Sequence, residues 1–488
     1  MARAAKKAGL AITLSSRICP EFREFERTST TVVNAYVSPN MKTYLKRLQT
    51  GIRKRGGRRI RIIQSNGGSL SPEAAGDEAA QTLLSGPAAG VLGALSVCRQ
   101  ALKPTRTRPL KLITFDMGGT STDVALIDGS YQITTESEIS GWPVRVPMMD
   151  IHTVGAGGGS LAAVDAAGTL HVGPESAGAD PGPCCYGKGT VPTVTDANLV
   201  IGRIEPNAFL GGRKTLHVDR AHRAMEKLAR RLGTTRRETS AGILRVVNSS
   251  MERAIRVISV ERGYDPRDFT LVTFGGAGGL HVCDLAEALS IPRVFVPRNP
   301  GVLSAWGAVS ADVIKDYART VMLPFNNRLA STIEAGFETL IARAVRDMKQ
   351  EGFSRDALVM ERSLDLRYAG QSFELNIPYS GSVRPAMNAF HRRHEQRYGH
   401  RSPGEPMDLV TLRLRAIGRL EKPVLEPVEK RRSKPAAPAT GLIDRDGLKA
   451  GDRLSGPGIL VEQYSTTWIP EGWQGVTDPW GHILLERA

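Results

Sequence analysis

Two acidic, two glycine and three hydroxyl residues lie within eight consecutive positions of this chain, between two apolar segments. Glycines let backbone N–H groups approach phosphate oxygens with no Cβ in the way, and hydroxyls add further donors. Carboxylates hold Mg²⁺ directly or through its waters. We therefore predict a site for nucleotide phosphates and Mg²⁺ in this turn. Asp116 and Asp123 are the predicted metal ligands and catalytic residues, and the predicted phosphate contacts are Gly118, Gly119, Thr120, Ser121 and Thr122.

The segments on either side of the turn distinguish it from other phosphate-binding motifs. An apolar strand that starts at Leu112 leads into the turn, and a second apolar strand ends at Asp128. A P-loop requires a Lys after its glycines and a Rossmann fingerprint requires a helix, and this segment has neither. The alternative is a surface β-hairpin with a glycine turn, which the density of acids and hydroxyls disfavours.

A second glycine cluster follows another predicted strand. Phe269–Phe274 reads as the strand, Gly275–Gly279 as the turn, and Leu280–Leu289 as an amphipathic helix. Free N–H groups at a helix start favour an anion or the polar edge of a nucleotide. Such turns also occur in α/β proteins without ligands. This turn therefore supports a nucleotide site only in combination with the first motif. The predicted nucleotide contacts here are Gly275, Gly276, Ala277 and Gly278.

Strands and helices alternate from Thr28 to about Asp312, which predicts an α/β architecture with mainly three layers. Thr28–Leu48 is predicted as a helix that Pro39 kinks or breaks. His217–Arg262 is predicted as a long helical stretch whose apolar positions belong to the core.

The character of the chain changes after Asp312. Lys422–Gly441 is rich in Pro, Lys and Arg and is predicted as a linker or long loop. Leu442–Glu486 alternates apolar and polar residues, which predicts a small β-rich cap.

Composition indicates two or three domains and a reducing compartment. The chain has 488 residues, 41% of them apolar, and its five Cys do not form a disulfide framework at this length. Cys184 and Cys185 are interpreted as packed or partly exposed thiols, because no Cys-x-x-Cys metal motif occurs. No apolar run reaches the length of a membrane span, and Met1–Arg17 lacks a convincing cleavage site for an export signal. We expect a cytoplasmic protein without a membrane partner.

The formal net charge of +16 raises a nucleic-acid hypothesis. A nucleic-acid reader pairs a basic cluster with aromatic stacking residues or a groove-entering helix. Only 6% of the residues are aromatic, and none lies in the densest basic cluster, Gly51–Ile63. The favoured interpretation is an exposed loop ahead of the strand Ile60–Gln64, with no nucleic-acid partner. The basic side chains of the cluster are Arg53, Lys54, Arg55, Arg58 and Arg59, with Arg61 in the strand itself.

Both glycine motifs resemble those of a known family. The first turn resembles the phosphate hairpin of the actin, sugar-kinase and Hsp70 superfamily, and its residues Met-Gly-Gly-Thr-Ser-Thr-Asp resemble the hydantoinase A / 5-oxoprolinase family. The second cluster has the order and spacing of the adenosine motif of that superfamily. Pro300–Ala305 is similar to the family as well, and the resemblance covers nearly the whole chain. Gly279 and Trp306 depart from the family, which usually has Pro and a smaller apolar residue there.

The resemblance implies an actin-like nucleotide-binding fold of the α/β class with an incomplete first lobe. Family members carry a first Asp-x-Gly-Gly-Thr hairpin near their N-terminus, and no such segment precedes Thr28. We therefore expect most of the first lobe to be truncated or supplied by another polypeptide. The implied domains are a remnant of the N-terminal lobe at 1–27, the hydantoinase/oxoprolinase actin-like ATP-binding domain at 28–316, and a C-terminal α+β domain at 317–488.

Three further residues are candidate substrate contacts. Asn66 precedes two glycines in a turn signal, which places a side-chain amide beside exposed backbone N–H groups. Asp150 and His152 open a segment, 150–160, that resembles the family. His152 either orients a substrate carbonyl or satisfies a strand end, and both interpretations stay open.

The resemblance implies an ATP- and Mg²⁺-dependent hydrolase of cyclic amides, namely the A subunit of a hydantoinase or 5-oxoprolinase. In the implied reaction the amide oxygen of the ring is phosphorylated, which makes the ring carbon susceptible to water. A hydantoinase B-type subunit is the implied partner, so a hetero-oligomer is expected. Two alternatives stay open. One is a related ATP-dependent ketone carboxylase subunit, of the acetone carboxylase beta type, and the other is a non-catalytic nucleotide-binding assembly subunit.

Overall fold

The computed structural model describes residues 2–57, 59–105, 107–139, 141–431 and 438–488. Arg58 of the basic cluster and residues 432–437 of the predicted linker lie outside these ranges. The chain divides into two compact units, each built from three separate segments. The first unit comprises 1–88, 133–149 and 310–422, and the second comprises 89–132, 150–309 and 423–488.

Helices occur in both units, and the longest of them belongs to the first. The helices of the described residues are α1 (Ala2–Lys7), α2 (Ser15–Ile18), α3 (Glu24–Lys54), α4 (Pro72–Asp77), α5 (Ser85–Leu102), α6 (Val194–Val200), α7 (Val218–Leu232), α8 (Arg236–Ile258), α9 (Val282–Ala288), α10 (Leu303–Val309), α11 (Ala330–Gln350) and α12 (Val383–Tyr398).

The strands range from two-residue bridges to ladders of twelve residues. They are β1 (Ile62–Ile63), β2 (Ser69–Leu70), β3 (Lys111–Met117), β4 (Thr122–Asp128), β5 (Ser130–Tyr131), β6 (Ile133–Thr134), β7 (Ser137–Ile139), β8 (Trp142–Val144), β9 (Met148–Met149), β10 (Ile151–Val154), β11 (Ser160–Val164), β12 (Leu170–Ser176), β13 (Thr270–Phe274), β14 (Arg293–Val296), β15 (Val313–Pro324), β16 (Leu358–Tyr368), β17 (Leu375–Pro378), β18 (Met407–Gly418), β19 (Ala439–Asp444), β20 (Arg453–Val461), β21 (Thr466–Ile469), β22 (Trp473–Thr477) and β23 (Ile483–Arg487).

Helix α3 of the first unit extends beyond the predicted Thr28–Leu48 at both ends. Of the kink or break predicted at Pro39, the break is wrong, because the helix continues through this residue. Its first turn carries Glu24, whose charge suits the positive end of the helix dipole. Pro39 has no N–H and so removes one helical hydrogen bond, but the helix continues through it. Packing on the N-terminal side of Pro39 helps to hold the helix. Asn34 is fully buried there, donating to Asp77 O at 3.0 Å and accepting from the Ala80 N–H at 3.0 Å.

The remaining core of the first unit forms around a six-stranded sheet in the order β1-β2-β15-β18-β16-β17. The long strands β15, β18 and β16 pair antiparallel. Helices α11 and α12 pack on this sheet and contribute the fully buried rings of Phe337 and Phe390 to its core.

The second unit is organised by a mixed sheet in the order β10-β4-β3-β13-β14-β23-β22-β20-β19. In addition, β5 pairs with β4, and β21 pairs with β20. Strand β13 runs parallel to both β3 and β14. In this register Phe274 is opposite Asp116, so β3 and β13 end at the same edge of the sheet. Both predicted glycine turns therefore leave the sheet at that edge.

The predicted helical stretch 217–262 is two helices rather than one. Helix α7 ends at Gly233, whose φ of +67° gives the left-handed C-terminal cap. Helix α8 begins with a capping box, in which the Thr235 side chain accepts from the Glu238 N–H at 3.2 Å and the Glu238 carboxylate accepts from the Thr235 N–H at 2.9 Å. Their inner faces contribute Met225 and Met251 to the main core of this unit.

The predicted β-rich cap does not stand apart. Its last strand, β23, pairs antiparallel with β14, and the other strands of 439–487 continue the same sheet. The pairing buries Ile483 and Leu485 completely, which accounts for the alternating pattern in the sequence. The domain limits 1–27, 28–316 and 317–488 stay a prediction, and they do not coincide with the two compact units.

The described basic side chains Arg53, Lys54, Arg55 and Arg59 are exposed, as expected for a solvated surface, whereas Arg61 is half-buried and pairs with Glu351. Arg53 and Lys54 lie in the last turn of α3 instead of a loop, where they suit the negative end of the helix dipole. Across the described ranges, every helix is too short or too polar to cross a bilayer.

Candidate functional site

The predicted phosphate turn is the tip of a hairpin in the second unit. Strands β3 and β4 pair antiparallel with Asp116 directly opposite Asp123. The Gly118 N–H donates to Ser121 O at 3.0 Å and closes the turn. Because directly opposed residues point to the same face of a sheet, the two carboxylates lie side by side next to the tip.

A glycine-rich loop holds the carbonyl groups of this turn. The Gly158 N–H donates to Gly118 O at 3.0 Å, and the Gly159 N–H donates to Gly119 O at 2.6 Å. In a trans peptide the C=O and the N–H point in opposite directions. The N–H groups of Gly119 and Thr120 therefore point away from the loop.

The donors at the hairpin tip have no acceptor in the described part of the protein. These donors are the N–H groups of Gly119, Thr120 and Ser121 and the hydroxyls of Thr120 and Ser121. Gly119 and Thr120 are exposed, and a Cβ added at Gly119 would meet no atom within 4 Å. A set of clustered, unpaired donors below open space fits the oxygens of a phosphate group.

The acid pair has no basic neighbour that neutralises it among the described residues. No basic side chain within the described ranges is among the groups that shift the pKa of Asp116 or Asp123. Burial, followed by the charge of Asp123, raises the pKa of Asp116 to about 7. Burial also raises the pKa of Asp123. Two carboxylates held together against their repulsion form a site that a divalent cation stabilises.

The pair suits Mg²⁺ bound together with a nucleotide better than a resident metal. No group of three or more His, Cys, Asp or Glu side chains that could hold a metal occurs among the described residues. Mg²⁺ keeps several of its waters and is commonly held by one or two carboxylates plus substrate phosphates. The two carboxylates and the adjacent donors provide that combination.

Thr153 is a site residue that the sequence pattern did not single out. It lies on β10 opposite Asp123, and its hydroxyl donates to Asp123 Oδ1. This hydrogen bond orients the carboxylate and counteracts the rise of its pKa. Its only signal in the sequence was its place in the glycine-rich segment 150–160.

Replacing Thr153 by Val is expected to weaken Mg²⁺-dependent nucleotide binding by roughly tenfold, as for other groups that orient metal ligands. Val keeps the shape of the side chain and removes the hydroxyl, so Asp123 loses a donor to its charged form. The matched control Thr153→Ser keeps the hydroxyl and should bind as wild type does. Calorimetric titration with Mg·ATP measures both variants, and unchanged affinity in Thr153→Val would contradict the orienting role.

The second glycine turn packs directly on the first. The Ala277 N–H donates to Met117 O at 3.0 Å. Gly275 has a φ of +80°, and a Cβ there would lie 2.4 Å from Asp116 Oδ1, so this position requires glycine on both counts. The structure thus brings together the two motifs that were predicted to share one ligand. The helix that follows the turn is Val282–Ala288, shorter than predicted.

Two of the predicted substrate contacts belong to this unit but not to the hairpin tip. Asp150 forms a two-point ion pair with Arg262, with 3.1 Å between Oδ1 and Nη2. His152 is in register with Val124, so it points to the opposite face of the sheet from Asp123. The structure does not bring His152 to the acid pair, and the charge of the Asp150 carboxylate is compensated by Arg262. Their roles as substrate contacts stay predictions.

Asn66 lies in the first unit, and both ends of its amide are engaged. Its Nδ2 donates to Asp316 Oδ2 at 2.8 Å, and its Oδ1 accepts from the Gly68 N–H at 2.8 Å. Asp316 also accepts from Arg415 Nε at 2.8 Å. Asn66 is therefore a buried anchor of its own turn, and a contact with substrate stays a prediction.

Two other predicted features are internal. The buried Thr122 hydroxyl donates to Ala156 O at 2.6 Å and so holds the glycine-rich loop, and a contact of Thr122 with phosphate stays a prediction. Cys184 and Cys185 are free, buried thiols, in agreement with the interpretation as packed thiols. Burial, followed by the charge of Asp196, raises the pKa of Cys184 to about 12.

A mixed sheet carries two convergent glycine turns at one edge, with donors that lack an acceptor among the described residues at one tip and an acid pair beside them. These features describe an α/β protein whose candidate site has the groups that phosphate and Mg²⁺ require. A family model described as hydantoinase/oxoprolinase matches residues 27–317. The chain belongs to this family, which confirms the resemblance seen in its glycine motifs.

Named relatives are similar over almost the whole of this chain. The caprolactamase subunit alpha of Pseudomonas jessenii is 35% identical over 95% of this chain and 70% of its own length. The 5-oxoprolinase 1 of Arabidopsis thaliana is 33% identical over 97% of this chain, which spans 40% of that relative.

Solved structures share the fold. The crystal structure of the ATP-dependent caprolactamase from Pseudomonas jessenii has a TM-score of 0.86 at 33% identity and covers 99% of this chain and 74% of that chain. A nucleotide-free structure of acetone carboxylase has a TM-score of 0.77 at 25% identity, with 100% of this chain and 73% of that chain covered. The α/β class predicted from the sequence is confirmed by these similarities.

Proposed function

We propose that this chain is the A subunit of an ATP-dependent hydrolase of cyclic amides. The observation that carries the proposal is the hairpin tip, where unpaired donors face open space beside the Asp116–Asp123 pair. A triphosphate provides the anionic oxygens that these donors lack, and its Mg²⁺ neutralises the acids. Relatives named as an ATP-dependent caprolactamase and as 5-oxoprolinases support the same activity.

Each part of the site has a proposed role. The tip from Gly118 to Thr122 positions the phosphates, Asp116 and Asp123 hold Mg²⁺, and the turn from Gly275 to Gly278 contacts adenosine. Bound ATP supplies the phosphoryl group for the amide oxygen, which turns a poor leaving oxygen into a good one. The contribution of the protein is to position the reacting groups and to stabilise the charge that develops.

We also propose an actin-like arrangement for the nucleotide-binding fold of this chain. The chain spans 70% of the caprolactamase subunit alpha and 40% of 5-oxoprolinase 1, so these relatives contain further segments. A separate N-terminal lobe and a hydantoinase B-type subunit are the proposed partners, in a cytoplasmic hetero-oligomer. The proposed contacts of the cyclic amide are Asn66, Asp150 and His152.

Reconstitution tests this function. The chain alone is expected to show little ATPase activity, because the proposed reaction depends on a partner subunit. Together with the N-terminal lobe and B-type subunit of a family member, it should turn over ATP in a manner that depends on hydantoin, 5-oxoproline or caprolactam. Release of inorganic phosphate measures the turnover. A complex that contains the Asp123→Asn variant of this chain is the control, because turnover that depends on this chain should be lost in it.

The other outcomes distinguish the alternatives. A ketone carboxylase subunit is the second candidate, because the fold is shared with acetone carboxylase. ATP turnover that requires a ketone and bicarbonate would favour that candidate. A complex that binds ATP and turns over none of these substrates would favour a non-catalytic assembly subunit. Rapid turnover by the isolated chain would contradict the proposed need for a partner.

A further inference from the structure

The C-terminal strands bring an aromatic residue to the second glycine turn. Tyr464 lies in the loop between β20 and β21. A Cβ added at Gly276 would lie 3.7 Å from Tyr464 O, and one added at Gly301 would lie 2.5 Å from the same oxygen. The Ser465 hydroxyl donates to Gly275 O at 3.4 Å. The loop therefore lies directly along the turn that was predicted to contact adenosine.

Gly279 shows how close this packing is. A Cβ at this position would lie 2.3 Å from Thr467 Oγ1 and 2.7 Å from Thr466 O. The family usually has Pro at this position. In this chain, glycine allows the segment from Tyr464 to Thr467 to approach the turn.

Arg213 adds a guanidinium group to the Tyr464 ring. Its Cζ lies 4.8 Å from the ring centroid. The group is held by two carbonyls, since Nε donates to Leu210 O at 3.2 Å and Nη2 donates to Gln463 O at 3.1 Å. Tyr464 is 41% exposed and Arg213 is exposed, and Arg213 has no carboxylate partner among the described residues.

We propose that Tyr464 and Arg213 form a platform on which the purine base of ATP stacks. The proposal rests on the proposed ATP-dependent function and adds the residues that recognise the base. The two sites are adjacent along the chain of the second glycine turn, because Asp116 borders Gly275 and the neighbouring Gly276 borders the backbone carbonyl of Tyr464. The two glycines place no side chain between the phosphate site and the platform. Aromatic rings and Arg guanidinium groups are both common stacking partners of nucleobases.

The test compares a ligand that has a base with one that lacks it. Calorimetry measures the affinities of Mg·ATP and Mg·tripolyphosphate for the wild type and for Tyr464→Ala, Tyr464→Phe and Arg213→Ala. Tyr464→Ala is expected to weaken ATP roughly tenfold, as for loss of a base–aromatic stack, and to leave tripolyphosphate unchanged. Arg213→Ala should weaken ATP selectively too. Tyr464→Phe keeps the ring and should retain wild-type affinity, and Tyr464→Ala keeps the Cβ that packs against Gly301.

The outcomes separate this inference from the proposed function. In Tyr464→Ala, an equal loss of affinity for both ligands, or no loss for either, would overturn the base platform. Neither result would contradict the proposed phosphate site. Loss in Tyr464→Phe comparable to that in Tyr464→Ala would also overturn it, because the ring would then not be the recognised group. A wild-type protein that binds neither ligand would overturn the nucleotide site itself, and the platform with it.

Discussion

Replacement of Asp116 by Asn is expected to weaken Mg²⁺-dependent ATP binding on the order of 100-fold or more, because even groups that only orient a metal ligand are worth roughly 10–100-fold. Asn keeps the size of the side chain but cannot supply the negative charge that holds the cation. The fold should remain intact, since burial and the charge of Asp123 raise the pKa of Asp116 and disfavour its charged form in the free protein. Calorimetric titration with Mg·ATP at pH 8 measures the change, and titration with metal-free ATP is its control.

The pH dependence of wild-type binding provides a second measurement of the same effect. Burial, as the larger cause, and the charge of Asp123, as the smaller one, raise the pKa of Asp116 to about 7. Below that pH a proton therefore competes with Mg²⁺ for this carboxylate. The affinity should therefore fall by about tenfold for each pH unit below 7 and level off above pH 8. Protonation of the nucleotide affects Asp116→Asn equally, so the difference between the two proteins isolates Asp116. Parallel pH profiles in the two proteins would contradict its assignment as a metal ligand.

Replacement of Gly119 by Val is expected to reduce ATP affinity on the order of 100-fold with little change in Tm. The tip would lose at least one charge-assisted hydrogen bond, each worth roughly 1.5–3 kcal/mol, and the side chain would fill the phosphate position. The fold should tolerate the change, because Gly119 is not in the left-handed region and an added Cβ meets no atom within 4 Å. Gly86→Ala, on the exposed surface of a helix, is the matched control and should bind as wild type does. Calorimetry and thermal unfolding are the measurements.

Gly157→Ala provides a contrast with the Gly119 variant. A Cβ at Gly157 would lie 2.7 Å from the backbone C and O atoms of Gly119, so the loop and the hairpin must separate. We expect this variant to lose both thermal stability and ATP binding. If Gly119→Val lowered Tm as much as Gly157→Ala, its loss of binding would reflect damage to the fold, and the tip would no longer be supported as a phosphate site.

The hairpin was predictable because its determinants are local. Two apolar strands around a glycine turn specify strand–turn–strand, and the short turn sets the register that places Asp116 opposite Asp123. The boundary between α7 and α8 also has local signals, namely Gly233 and the Thr235–Glu238 capping box, although the prediction gave 217–262 only as a long helical stretch. The continuation of α3 through Pro39 had no such signal, because it depends on the packing of the helix against its surroundings.

The sequence by itself determined the two glycine motifs, the acid pair, the α/β class and the family to which the chain belongs. Only the tertiary structure decided which atoms of those motifs stay free. The loop containing Gly158 binds the carbonyls of the tip and leaves its donors outward, and the register of β10 turns Thr153 rather than His152 toward Asp123. A shift of one residue would exchange the faces of these two side chains, and no local pattern specifies that register. Contacts such as these join segments that are distant in the chain, so packing and long-range strand pairing determine them.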